Sequence, residues 1–183
     1  MTPILADAGV PMLMLVFPAA FFLLVPIVAI ETWVARRISP VSAKRRFLGV
    51  LVANAVSTIV GWPLTWIVVA LLQLFVIPGG QSGYNFPQPF GAIASVTLQS
   101  AWLMPYEDQL YWMVPTATMV LLVPAFFVTI LTERLVLRFF WRETIAKDRK
   151  SFVWIANIAS YGLLYAAGIC WLLYSITHFH KQL

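Results

Sequence analysis

Charge is what this sequence has least of. Only 10% of its 183 residues are Asp, Glu, Lys or Arg, whereas 61% are hydrophobic and 15% aromatic. An ordinary soluble domain is about a quarter charged. Seven acids and twelve bases cannot clothe a water-facing surface of this size. Soluble globular, disordered and fibrous classes are thereby excluded, and an integral membrane protein remains. Cysteine is nearly absent too. The single Cys170 excludes an intramolecular disulfide, a Cys₄ metal site and a CxxC redox motif. Histidine is equally scarce, with only His178 and His180 near the end of the chain. No span therefore holds a histidine to ligate haem or to act as the base of a serine hydrolase.

What is present is a set of long apolar runs. A helix needs about 20 such residues to cross the hydrocarbon core of a bilayer. Four runs qualify, at 10–34, 47–77, 112–133 and 151–177. The first is not read as a cleavable signal peptide, because no basic residue precedes it. The second is longer than a straight perpendicular helix requires, and Trp62-Pro63 marks the place where a kink is expected.

The few charges set an orientation. Arg36, Arg37, Lys44, Arg45 and Arg46 fall between the first two spans. Arg134, Arg138, Arg142, Lys147, Arg149 and Lys150 fall between the last two. By the positive-inside rule both short loops face the cytoplasm and both termini face out. The net charge of +5 is thus a matter of topology and does not point to nucleic acid. The basic loops are also suited to anionic headgroups.

A weak internal repeat runs through the same segments. Ala53-Asn54-x-x-Ser57 recurs as Ala156-Asn157-x-x-Ser160, shifted by 103, and Arg46 maps onto Arg149 with the same shift. Glu31 and Arg36 map onto Glu133 and Arg138 with a shift of 102. The halves 1–77 and 105–183 each read as helix, Glu, basic loop, then a helix carrying Asn and Ser. Both start on the same side, so a pseudo-twofold axis is expected along the membrane normal.

These polar groups are the candidate ion or helix-packing sets: Glu31, Asn54 and Ser57 in one half, Glu133, Asn157 and Ser160 in the other. A carboxylate at mid-helix in a membrane costs about 2.5–3.5 kcal/mol on insertion scales. Acid and amide in each half stand at similar depth, which suits a proton or cation site. Their nearness in sequence to arginines favours anchoring at the interface, by pairing or snorkelling. Ala53, Ser57 and Gly61 form a small-residue stripe for close helix packing, and Gly162, Ala166 and Cys170 are expected to do the same.

Glu31-Thr32-x₃-Arg36 resembles the acid-acid-x₃-Arg signature of intramembrane CAAX-type proteases. Thr32 stands where that chemistry needs the second acid, so no protease activity follows. His178-x-His180 supplies two ligands at most and reads as a solvated interfacial pair. The connection 78–111 is much longer than a hairpin needs. Its apolar stretch Ala92 to Met104 is too short to span and reads as interfacial or re-entrant. Trp102, Tyr106, Glu107, Asp108 and Trp112 make this loop the candidate partner-docking element.

The expectation is an all-α polytopic membrane protein. It forms a single transmembrane domain over 1–183, with four transmembrane helices as two tandem hairpins. It is non-catalytic, with no cofactor and no metal set. The leading functional expectation is an accessory, assembly or scaffold protein of a larger membrane complex. The alternative is a small oligomeric transporter or channel for protons or cations, using Glu31 and Glu133 with Asn54 and Asn157. Its expected partners are the lipid bilayer and either another membrane protein or further copies of itself. The expected location is the plasma membrane, which is the inner membrane in a bacterium.

Overall fold

A computed structural model describes residues 12–76, 110–142 and 146–179, and every regular element in them is helical. The helices are α1 (Met12–Ile38), α2 (Ala43–Val76), α3 (Leu110–Phe140) and α4 (Ala146–Phe179). Among the described residues there is no strand. Among the described residues three stretches are long and apolar enough to cross a membrane: Ala43–Thr65, Tyr111–Phe140 and Ala146–His178. α1 is 27 residues long, about 40 Å at 1.5 Å per residue.

The helices run further than the apolar spans do, because their ends recruit the basic residues. Arg36 and Arg37 occupy the last turn of α1, where cations complement the helix dipole. Asp148 sits in the first turn of α4, the favourable end for an acid. What breaks the chain after α1 is Ser39-Pro40, since a proline cannot continue the hydrogen-bond ladder. Ser42 then opens α2, its carbonyl accepting from Arg46 N at 2.9 Å. α2 continues without interruption through Pro63. An arginine ties down the chain between α1 and α2, and another the end of α3. Arg46 donates to Val41 O at 2.7 Å and to Ser39 O at 3.4 Å, and Arg149 donates to Trp141 O at 3.2 Å.

The chain divides into two compact units. One comprises residues 18–65 and 123–164 and carries a hydrophobic core. Val28, Ala35, Val50, Ala53, Ile130, Leu137, Phe152, Val153 and Ala156 are buried there. Trp141 and Phe152 pack with their ring centroids 4.8 Å apart and their planes tilted by 51°. The indole lies on Gly49, where an added Cβ would stand 2.6 Å from Nε1. Phe126 packs edge-on against Tyr161 at 5.0 Å and Trp154 at 5.8 Å. The outward positions are apolar as well, with Phe22, Val25, Ile59, Leu131, Leu135 and Phe139 all exposed. A contiguous apolar exterior of this kind suits lipid rather than water.

The other unit comprises 12–17, 66–76, 110–122 and 165–179 among the described residues. There Met113, Ala117 and Leu121, four residues apart on α3, are buried. Tyr165 of α4 donates its hydroxyl to Met119 O at 3.0 Å. Gly168 lets the Met119 side chain approach, since a Cβ at that position would meet Met119 Cγ at 2.8 Å.

One small-residue stripe is as expected and the other is not. Ala53, Ser57 and Gly61 are all buried along α2. On α4, however, Gly162, Ala166 and Cys170 are exposed, and nothing lies within 4 Å of a Cβ built on Gly162. The inward stripe of α4 is Ala156 and Ser160, continued at Gly168. Applying the 103-residue shift to Ala53, Ser57 and Gly61 gives Ala156, Ser160 and Leu164, so that shift points to the inward stripe better than the spacing of small residues does.

Candidate functional site

The most polar part of the unit formed by 18–65 and 123–164 is also among its most buried. Glu31, Asn54, Ser57, Glu133, Asn157 and Ser160 are each 5% exposed or less, and Glu133 and Asn157 are fully enclosed. Glu31 lies on α1, Asn54 and Ser57 on α2, Glu133 on α3, and Asn157 and Ser160 on α4, with small or β-branched buried neighbours: Val50 and Ala53 on α2, Val153 and Ala156 on α4. That packing fixes the polar groups without strain, because asparagine sits one turn beyond a valine whose carbonyl it can reach.

The hydrogen bonds come in matched sets. Asn54 Nδ2 donates to Glu31 Oε2 at 2.6 Å, and Asn157 Nδ2 donates to Glu133 Oε2 at 2.6 Å. The same nitrogens also donate to Val50 O at 3.1 Å and Val153 O at 2.9 Å. Ser160 Oγ then reaches Glu31 Oε1 at 2.9 Å, which joins α4 to α1. Ser57 stands correspondingly beside Glu133, but its hydroxyl is donated to Asn54 O at 3.0 Å. Glu133 Oε1 is left buried and without a hydrogen-bond partner, as is Asn157 Oδ1. The two carboxyl groups lie within electrostatic reach of each other.

The anchoring expectation fails in its physical detail. The glutamates neither snorkel nor pair with arginine; their side-chain partners are amides and hydroxyls. Helix phase is the reason. Five residues turn an α-helix by about 140° beyond a full revolution, so Arg36 and Arg138 face outward when Glu31 and Glu133 face in, and both arginines are exposed. Arg37 instead sits over the Trp33 ring at 5.6 Å, a cation–π contact.

The other candidates are scattered. Trp102, Tyr106, Glu107 and Asp108 lie outside the described residues, as do His180 and the apolar stretch 92–104. Trp112 is half-buried in the first turn of α3, its carbonyl accepting from Thr116 Oγ1 at 2.8 Å. His178 is exposed and stacks on Tyr174 at 3.9 Å. Among the described residues no group of three or more His, Cys, Asp or Glu side chains is placed to hold a metal.

No family model matches the chain, and no curated protein or solved structure matches it either. The site is therefore read from its own chemistry. Two acids, two amides and two hydroxyls enclosed in hydrocarbon can bind a small positive charge or lock helices together.

Proposed function

We propose that this chain is a small multi-pass membrane protein that moves protons or small cations through the paired site of Glu31 and Glu133. In this reading four helices cross the membrane as two tandem hairpins derived from one duplicated unit. The termini lie outside, the basic connections face the cytoplasm, and the membrane is the plasma membrane. Four helices are few to enclose a complete pathway, so the working form is an oligomer.

The observation that carries the reading is the meeting of two buried acids with only neutral side chains bonded to them. Glue between helices does not require ionisable groups. Glutamine would span the same distances without the charge, and interhelical hydrogen bonds in membranes are worth only about 0.6–2 kcal/mol each. Ionisable side chains facing a bundle interior instead mark ion and proton pathways. The accessory or scaffold expectation rested on the lack of a recognisable catalytic set, the small-residue packing faces and the abundant aromatics, none of which calls for two buried acids.

Flux decides the matter. Purified protein in proteoliposomes should dissipate an imposed proton or alkali-cation gradient. Glu31→Gln combined with Glu133→Gln should abolish that flux while the variant still purifies as the wild type does. A wild type that passes no tested ion, or a double variant that transports normally, would remove the proposal.

A further inference from the structure

Both α2 and α3 run into basic residues at the same end of the unit formed by 18–65 and 123–164. Lys44, Arg45 and Arg46 stand at the start of α2, whose first turn holds no acid. Arg142 stands just beyond the end of α3. Arg46 donates to Val41 O. Lys44, Arg45 and Arg142 line a cavity of about 620 Å³, and Ser42, Leu48, Phe139 and Phe140 complete its wall.

The cavity has a charged end and an apolar one. Lys44 and Arg45 precede Leu48 by about one helical turn, and Arg142 follows Phe139 and Phe140 by three and two residues. The two helices thus pass from apolar to basic in the same direction. Leu48 and Phe139 are exposed, so the apolar end is continuous with the exterior that suits lipid.

No stretch of chain joins the two walls at this end. Residues 39–42 link α1 to α2, and 141–145 link α3 to α4. Lys44 and Arg45 on one wall repel Arg142 on the other. Counting Glu143, the neighbour of Arg142 in sequence, against these three cations still leaves two positive charges in excess.

We propose that this cavity binds the headgroup of one anionic phospholipid, its phosphate held among Lys44, Arg45 and Arg142 and its glycerol and acyl stem laid along Leu48 and Phe139. Basic pockets between transmembrane helices recognise anionic headgroups in this way, and guanidinium groups match phosphate oxygens with paired N–H donors. The hydroxyl of Ser42 adds one further donor to the charged end. A soluble phosphate would satisfy the cations but has no use for the apolar end. The lipid turns repulsion between α2 and α3 into a bridge. This site draws on the membrane setting alone and is independent of ion transport at Glu31 and Glu133.

The repeat does not double the site. The 103-residue shift carries Arg45 onto Asp148 and Leu48 onto Ser151, and the 102-residue shift sets Phe139 against Arg37. An acid replaces one cation and polar groups replace the apolar end, so one lipid per chain is expected.

Native mass spectrometry of the full chain in a neutral detergent tests this, with phosphatidylglycerol titrated against phosphatidylcholine of the same acyl chains. One phosphatidylglycerol should bind saturably per chain, and phosphatidylcholine should not displace it. Lys44→Gln, Arg45→Gln and Arg142→Gln together should weaken binding by about a hundredfold. Arg37→Gln, Lys147→Gln and Lys150→Gln remove as much charge from exposed positions outside the cavity and should leave binding unchanged. Equal binding of the two lipids, or equal weakening by the two triple variants, overturns the inference. Displacement of the lipid by excess inorganic phosphate would assign the cavity to a soluble anion and overturn it too. The comparison of lipids is made on the wild type, so it stands even if a variant does not fold. Its outcome is the same whether or not the protein passes ions.

Discussion

Ser160 of α4 donates to Glu31 of α1 across 129 residues of sequence, at 2.9 Å. Its counterpart Ser57 spends its hydrogen on a backbone carbonyl of its own helix. The two hydroxyls therefore differ in worth although their surroundings match. Ser160→Ala leaves a buried carboxylate oxygen without a donor, which costs about 1–3 kcal/mol. Ser57→Ala removes only an accessory bond to Asn54 O and should cost well under half of that. Reversible unfolding in mixed detergent measures both, and equal losses would contradict the asymmetry.

The asparagines are expected to be coupled to their acids and not to each other. Asn157→Ala should destabilise by about 1–3 kcal/mol, because Glu133 Oε2 loses its only donor. The penalty should shrink when Glu133→Leu is made as well, with a coupling energy of about 0.5–3 kcal/mol as is usual for residues in one network. Pairing Asn157→Ala with a distant exposed change such as Leu173→Ala should give additive effects in the same unfolding assay.

Two glycines should respond in opposite directions. Gly49→Ala drives a methyl group into the Trp141 indole and should cost about 1–3 kcal/mol, the usual penalty of overpacking. Gly162→Ala meets nothing within 4 Å and removes a poor helix former, a gain of up to about 1 kcal/mol. Thermal unfolding followed by circular dichroism separates the two.

Orientation is open to chemical labelling. With Cys170 replaced by Ala, a cysteine at exposed Ser42 should react with a membrane-impermeant thiol reagent in inside-out vesicles only. One at exposed His178 should react in right-side-out vesicles only. The reverse pattern would invert the topology.

Much of the site was legible because polarity inside an apolar run is conspicuous. Glu31, Asn54, Ser57, Glu133, Asn157 and Ser160 stand out by type alone, and their spacing placed acid and amide at one depth. Which atoms would meet was not legible, since a donor that reaches across 129 residues leaves no local pattern. The arginine pairing was a misreading that helix phase corrects, as Arg36 and Arg138 follow their glutamates by five residues rather than three or four. The stripe on α4 was misplaced for a similar reason. Small residues at 162, 166 and 170 satisfy the spacing, but spacing does not say which side of a helix is inward. The helices extend past the apolar runs into the basic connections because arginine and lysine are good helix formers that end an apolar run without ending the helix.

Size, finally, breaks the correspondence that polarity keeps. The 102- and 103-residue shifts that superimpose Glu31 on Glu133 and Asn54 on Asn157 also set Ser39 against Trp141 and Gly49 against Phe152. The indole of Trp141 occupies the room that Gly49 leaves. Two copies of the first half would face each other across a hollow, and two copies of the second would collide ring on ring. In the proposed duplication the halves are therefore complementary in size, and when produced as separate fragments 1–77 and 105–183 should recombine with each other and refuse their own kind.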